Sequence, residues 1–209
     1  MDVRIEKEGY YKMPSEGNQT SFEFAEFFDK NFYLPDKENP VVFLMGKKGT
    51  PANLIKGELT LCLEEEGASA GIDFFMGKAV GAGQGQMQVT TWKPEYLQGV
   101  STYSFDWAVE IKFPDGGFVE CHDVFPFLAP ESGYVSEMSQ KLHFTRDGLA
   151  SVNHFKKKWY FRFGNPPRYG RMTFSTYGNM PNFNVSYYLN PTPGDRNLES
   201  DPNRRLRPE

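Results

Sequence analysis

The chain has 209 residues, 39% of them hydrophobic and 16% aromatic, which is too apolar for a disordered chain and long enough for one sizeable core. Against 27 Asp and Glu stand 23 Lys and Arg, a formal charge of −4 that exerts no global pull on nucleic acid. No run approaches the 18 consecutive apolar residues of a membrane-spanning helix, which speaks against a transmembrane segment.

The opening residues, MDVRIEKEGYYKMP, are charged and polar rather than an apolar leader, which leaves the compartment open. Residues 3–11 read as a first strand, closed by the turn-rich MPSEGN. Residues 20–34, TSFEFAEFFDKNFYL, are the best helix candidate. Thr20 and Glu23 have capping-box spacing, and Phe24, Phe27 and Phe28 share one helical face. The FEF alternation inside the segment also reads as strand, and Pro35 ends the element. Residues 41–45 are an apolar run of strand length, turned by GKKGTP. Leu59, Leu61 and Leu63 alternate with Thr60 and Cys62, and residues 72–76 follow the acidic turn EEEGAS as another strand. In GKAVGAGQGQ the glycine density costs too much backbone entropy for an element interior, so it reads as a loop before the strand MQVTTW.

The clearest alternation spans residues 103–113. Tyr103, Phe105, Trp107, Val109, Ile111 and Phe113 take the odd positions; Ser104, Asp106, Glu110 and Lys112 take even ones, with the small Ala108 as the apolar exception. An extended strand sends the two sets to opposite faces. The turn PDGG follows, and residues 118–125 are expected to return as its hairpin partner. Further strands are expected at 141–145, at 158–163 with Trp159, Phe161 and Phe163 on one face, at 171–177 and at 183–189.

Many short strands with Gly, Pro and Asn turns, and at most one helix, predict an all-β fold: an antiparallel β-sandwich or jelly roll with one short helix. A closed barrel is the alternative, and a parallel sheet would need repeated crossover helices. Residues 1–190 read as a single sandwich domain and residues 191–209 as a surface-packed or flexible tail.

The chemistry-bearing motifs are weak. Gly81, Gly83 and Gly85 lack the GxGxxG spacing, and no GxxxxGK[ST] occurs, so no nucleotide cofactor is implied. Cys121, His122 and Asp123 are all metal-ligand types, but successive strand residues point to opposite faces; no metal is assigned, and no EF-hand pattern marks calcium. Cys62 and Cys121 form either one disulfide or two free thiols. No GxSxG occurs and the serines and histidines are scattered, so no catalytic residue is assigned. Asp106 and Glu110 stand roughly 13 Å apart at strand rise, too far to act as a pair, although either could face Glu120 or Asp123 across a cleft. The segment FKKKWYFRFGNPPRYGR is basic and aromatic, yet its Trp159, Phe161 and Phe163 are better explained as one buried row than as stacking platforms for bases.

Tyr160 and Arg162 should face away from that row. With Tyr177, Asn184 and Tyr188 they would make a polar-aromatic surface, and Trp92 would be a loop-borne platform. The expected function is a noncatalytic domain that binds a carbohydrate or another extended polar ligand through Trp92, Tyr160, Arg162, Tyr177 and Tyr188, without a cofactor. The alternatives are a structural or assembly protein that contacts partner proteins or copies of itself, and a glycoside hydrolase with a carboxylate pair.

Overall fold

The computed structural model describes residues 5–12, 38, 42–92, 102–147, 154–178 and 180–206, with backbone alone at 12, 102, 103, 146, 147 and 201–206. They fall into two compact units, residues 1–50 with 123–125 and residues 51–122 with 126–209. In the smaller unit β1 (Tyr10–Lys12) pairs antiparallel with β2 (Met45–Lys47). The Phe125 ring takes the space that a side chain on Gly46 would need. The first strand is therefore shorter than its sequence pattern, and the second begins where the apolar run 41–45 ends. The helix expected over 20–34 lies outside the described residues.

The larger unit contains β3 (Ala52–Cys62), β4 (Ser69–Asp73), β5 (Lys78–Val80), β6 (Met87–Trp92), β7 (Thr102–Lys112), β8 (Gly116–Glu120), β9 (Glu137–Asp147), β10 (His154–Phe163), β11 (Arg168–Tyr177), β12 (Asn182–Leu189) and β13 (Ser200–Leu206). They form a six-stranded sheet in the order β13-β3-β12-β11-β10-β8 and a five-stranded sheet in the order β5-β4-β6-β7-β9. Neighbours are antiparallel except β13, which runs parallel to β3. The fold is an all-β sandwich of two separate sheets.

Burial follows the odd–even pattern of the sequence. In β7 the residues Trp107, Val109 and Ile111 are buried while Ser104 and Asp106 are exposed. From the facing sheet, Phe161, Phe163, Met172, Phe174, Phe183, Val185 and Tyr187 enter the same core. Phe74, in the turn after β4, sits at its centre. Its ring stacks on Phe161 at 4.5 Å and meets the edge-on Tyr187 at 4.9 Å. The Tyr187 hydroxyl donates to the Phe74 carbonyl oxygen at 2.7 Å, so the buried phenol is satisfied. The Tyr187 ring lies over Gly57 on its paired strand, and the Phe161 ring lies over Gly170. Both glycines are small because a neighbouring ring occupies the space of their missing side chains.

One expected pairing is corrected. The PDGG turn does not close a hairpin, because β7 pairs with β6 and β9 while β8 pairs with β10. The turn carries the chain from one sheet to the other, which sets Phe113 and Phe118 against each other with ring centroids 5.6 Å apart. Core burial of both rings decides the path. In the glycine-rich stretch, Lys78–Val80 forms the short edge strand β5 and the rest is loop, as expected. At Gly85 (φ 77°) the backbone passes so close to Ile72 that the next residue, Gln86, donates its N–H to the Ile72 carbonyl at 2.8 Å.

Candidate functional site

The outer face of the six-stranded sheet is the first place to look for recognition, because its side chains are not used by the core between the sheets. Register lines them up in rows. Tyr160, Arg171, Tyr188 and Lys56 are successive cross-strand partners, as are Lys158, Thr173, Ser186 and Glu58, and then Lys156, Ser175, Asn184 and Thr60. His154 and Tyr177 pair at the far end.

Half of this face is covered. Residues 126–135 and 190–199 fold over it and clasp one another. The Ala129 N–H donates to Arg196 O at 3.0 Å, Leu198 N–H donates to Phe127 O at 2.8 Å, and Arg196 Nη2 lies 2.9 Å from Glu131 Oε1. Asn190, itself buried, donates through Nδ2 to Asp195 Oδ2 and Asn197 O, each at 2.9 Å. Beneath the clasp Leu54, Cys121, Ala129, Tyr160, Tyr169 and Leu198 form a second, smaller apolar cluster. The residues after 190 thus bring one fully buried leucine to an otherwise polar segment.

Each predicted ligand-binding residue has a definite place. Tyr160 is 3% exposed and belongs to that smaller cluster. Tyr188 is half-buried beside it, with the Arg171 guanidinium 4.5 Å above its ring. Burial pulls the Arg171 pKa below the ordinary guanidinium value, and its Nη2 donates to Ser200 Oγ at 3.2 Å. Arg162 lies over the Tyr134 ring at 4.5 Å and donates to Glu131 O at 3.2 Å, so it pins the clasp. Tyr177 is 40% exposed, six residues from Arg171 along β11, or roughly 20 Å at strand rise. Trp92 ends β6 in the other sheet and is 37% exposed. Tyr160, Arg162 and Tyr188 are therefore brought together under or at the edge of the clasp, whereas Tyr177 and Trp92 stand apart from them.

The other part of the face, uncovered among the described residues, carries a different set. Glu58, Thr60, Thr173, Ser175, Asn184 and Ser186 line a shallow depression of ≈ 360 Å³. Across its floor Thr60 Oγ1 donates to Asn184 Oδ1 at 2.8 Å. Two residues beyond Ser175 along β11, Tyr177 carries the His154 ring stacked on it, centroids 4.5 Å apart and planes 11° from parallel. Exposed Lys156 and Lys158 of β10 flank the depression opposite β3. Asn184 was anticipated; the hydroxyl residues were not. Their signal was the alternation of Thr173 and Ser175 with Phe174, and of Asn184 and Ser186 with Val185.

No protein-family model, curated protein or solved structure matches this chain.

Two of the four carboxylates singled out from sequence bond a base. Asp106, in the five-stranded sheet, lies 2.7 Å from His143 Nδ1, and Glu120, in the six-stranded sheet, lies 2.7 Å from Lys157 Nζ. The hydrogen bond from Lys157 holds the Glu120 carboxyl below its usual pKa, opposite to the shift a general acid requires. Among the described residues no three His, Cys, Asp or Glu side chains gather as a metal site. Cys121 is buried and Cys62 exposed, and both are free thiols. In the basic segment, Trp159 is buried and Arg168 donates to Pro191 O at 3.0 Å, so core packing and loop anchoring employ groups a nucleic acid would need.

Proposed function

We propose that the sandwich is a binding domain whose exposed half-face on the six-stranded sheet takes an extended polar ligand of the carbohydrate class, with no bond-making chemistry at that face. The observation that carries this reading is the row of hydroxyl and amide side chains on β3, β12 and β11, with the stacked pair His154–Tyr177 next along the same face. Sugar hydroxyls both donate and accept hydrogen bonds. Ser, Thr and Asn side chains do the same, so such a surface matches a sugar without committing a net charge. The exposed Tyr177 ring offers an apolar face to a pyranose with little side-chain entropy to lose. Paired strands hold the polar groups in fixed register, which lowers the ordering cost of binding. Relative to the sequence-based expectation, the site moves along the same sheet face, from Tyr160 and Tyr188 to the Asn184–Tyr177 end.

A glycan array probed with the full chain, followed by calorimetric titration of the best oligosaccharide, tests the reading. Tyr177→Ala and Ser175→Val are expected to weaken binding at least tenfold, while Trp92→Ala leaves it unchanged. Absence of any selective glycan, or affinity that survives both substitutions, would refute it.

A further inference from the structure

On the outer face of the five-stranded sheet, the binding reading leaves three side chains unused. Ser104 and Asp106 are two residues apart on β7 and so project from the same face. His143 is the direct cross-strand partner of Asp106 on β9. His143 Nδ1 lies 2.7 Å from Asp106 Oδ1, and His143 Nε2 lies 3.0 Å from Ser104 Oγ. The carboxylate accepts only, so in the neutral ring this geometry assigns the proton to Nδ1 and leaves Nε2 to accept from the Ser104 hydroxyl. Serine to imidazole to carboxylate, each within hydrogen-bond reach and through the correct ring nitrogens, is the connectivity of an acyl-transfer relay. Such relays are recognised by geometry rather than by residue order.

We propose that Ser104, with His143 as its general base and Asp106 as the positioning residue, is a nucleophilic site for small, activated acyl esters. The substrate class follows from exposure. The side chains of His143 and Asp106 are 60% and 90% exposed, so solvent screens the relay and water carries much of the developing oxyanion charge. Only acyl groups on good leaving groups react at useful rates in such a setting. Ser104 Oγ bonds to the acyl carbon as its proton passes to His143 Nε2. The adduct then collapses with cleavage of the bond to the leaving oxygen, which takes that proton. Water bonds to the acyl carbon as it gives a proton to His143 Nε2; the bond between that carbon and Ser104 Oγ then breaks, Oγ takes the proton back, and the free acid departs.

Two measurements on the full chain test this site: labelling by a fluorophosphonate with peptide mapping, and hydrolysis of p-nitrophenyl acetate against an equal concentration of free imidazole. The expected result is one adduct, on Ser104, and a hydrolysis rate above that of imidazole. Ser104→Ala should abolish the label and lower hydrolysis at least tenfold, with Asp106→Asn lowering it as much and His122→Gln leaving it unchanged. A map without a Ser104 adduct overturns the proposal. So does a folded Ser104→Ala variant that hydrolyses as fast as the parent, because His143 would then be acting as an ordinary surface imidazole. Glycan binding at the other sheet is independent of both outcomes.

Discussion

Replacing Tyr187 by phenylalanine removes one oxygen atom from the middle of the sandwich and leaves the ring that packs edge-on against Phe74. The hydroxyl is 2.7 Å from the Phe74 carbonyl oxygen, and the residue is 1% exposed, so no water stands ready to replace the lost donor. A buried acceptor stripped of its partner costs about 1–3 kcal/mol, which for a chain of this size corresponds to a fall in Tm of roughly 2–12 °C. Urea melts of the parent and Tyr187→Phe at neutral pH should show that gap with unchanged m-values.

Alkali supplies a second, independent reading. Burial, and then the charge of Asp73, push the Tyr187 pKa up to about 12, against an ordinary value of about 10 in the unfolded chain. Between those values the unfolded chain releases the proton while the folded chain keeps it. The folded state then binds more protons, and stability falls as pH rises. The contribution is whole below about pH 10 and lost as pH passes about 12. Phenylalanine has no such titration, and the remaining tyrosines are common to both proteins. The gap between parent and variant should therefore shrink by about 1 kcal/mol by about pH 11. A gap below about 0.5 kcal/mol at pH 7, or one that stays constant into alkali, would show that the hydroxyl does not anchor the two sheets.

Other parts of the structure make shorter predictions. Gly57→Ala drives a methyl group into the Tyr187 ring and should destabilise by about 1–3 kcal/mol in urea melts. Leu198→Ala empties a fully buried site beneath the clasp; a loss of about 2–4 kcal/mol is expected, with new protease cleavage within residues 190–199. Lys157→Met should cost less than about 1 kcal/mol at pH 7, since the Lys157–Glu120 pair is solvent-exposed. That small cost should vanish as pH falls through the depressed Glu120 pKa, because the pair contributes only while the carboxylate is ionised. A thiol reagent applied to the native chain should modify Cys62 alone, with Cys121 reacting only after denaturation.

How legible the fold was depended on the range of the interaction that decided each feature. Alternation is local, so β7, β10, β11 and β12 could be placed, and the inward faces of β7 and β10 named from the rows around Trp107 and Trp159. Pairing is not local. The PDGG sequence has the chemistry of a tight hairpin, but the turn serves equally well to cross between sheets. What selects the crossing is the contact of Phe113 with Phe118 inside the core. The covering of the outer face was hidden for a similar reason. Tyr160 and Tyr177 have the same strand parity, yet one is 3% and the other 40% exposed, because residues 190–199 return over only one end of the sheet. Leu198, the only leucine between Leu189 and Leu206, and Ala129 in the FLAP segment were the available signs of that return.

The serine relay shows how a polar arrangement can be positioned by apolar register. Ser104 and Asp106 share a face by local geometry, but their histidine lies more than 35 residues away on β9, where sequence spacing is uninformative. What places it is on the other side of the sheet. Phe105 stacks on Phe144 at 5.0 Å, and Trp107 and Phe144 are both 3% exposed. A slip of one residue between β7 and β9 would expose Phe144, bury His143 and set a ring beside Asp106. The core requires Phe144 inside, and among the registers of that parity the stacking of Phe144 on its partner Phe105 selects one. In that register Asp106 and His143 are necessarily opposite one another, with Ser104 on the adjacent diagonal. The hydrophobic effect therefore specifies the geometry of the three polar groups, and a substitution such as Phe144→Ser should disturb their hydrogen bonds without touching them.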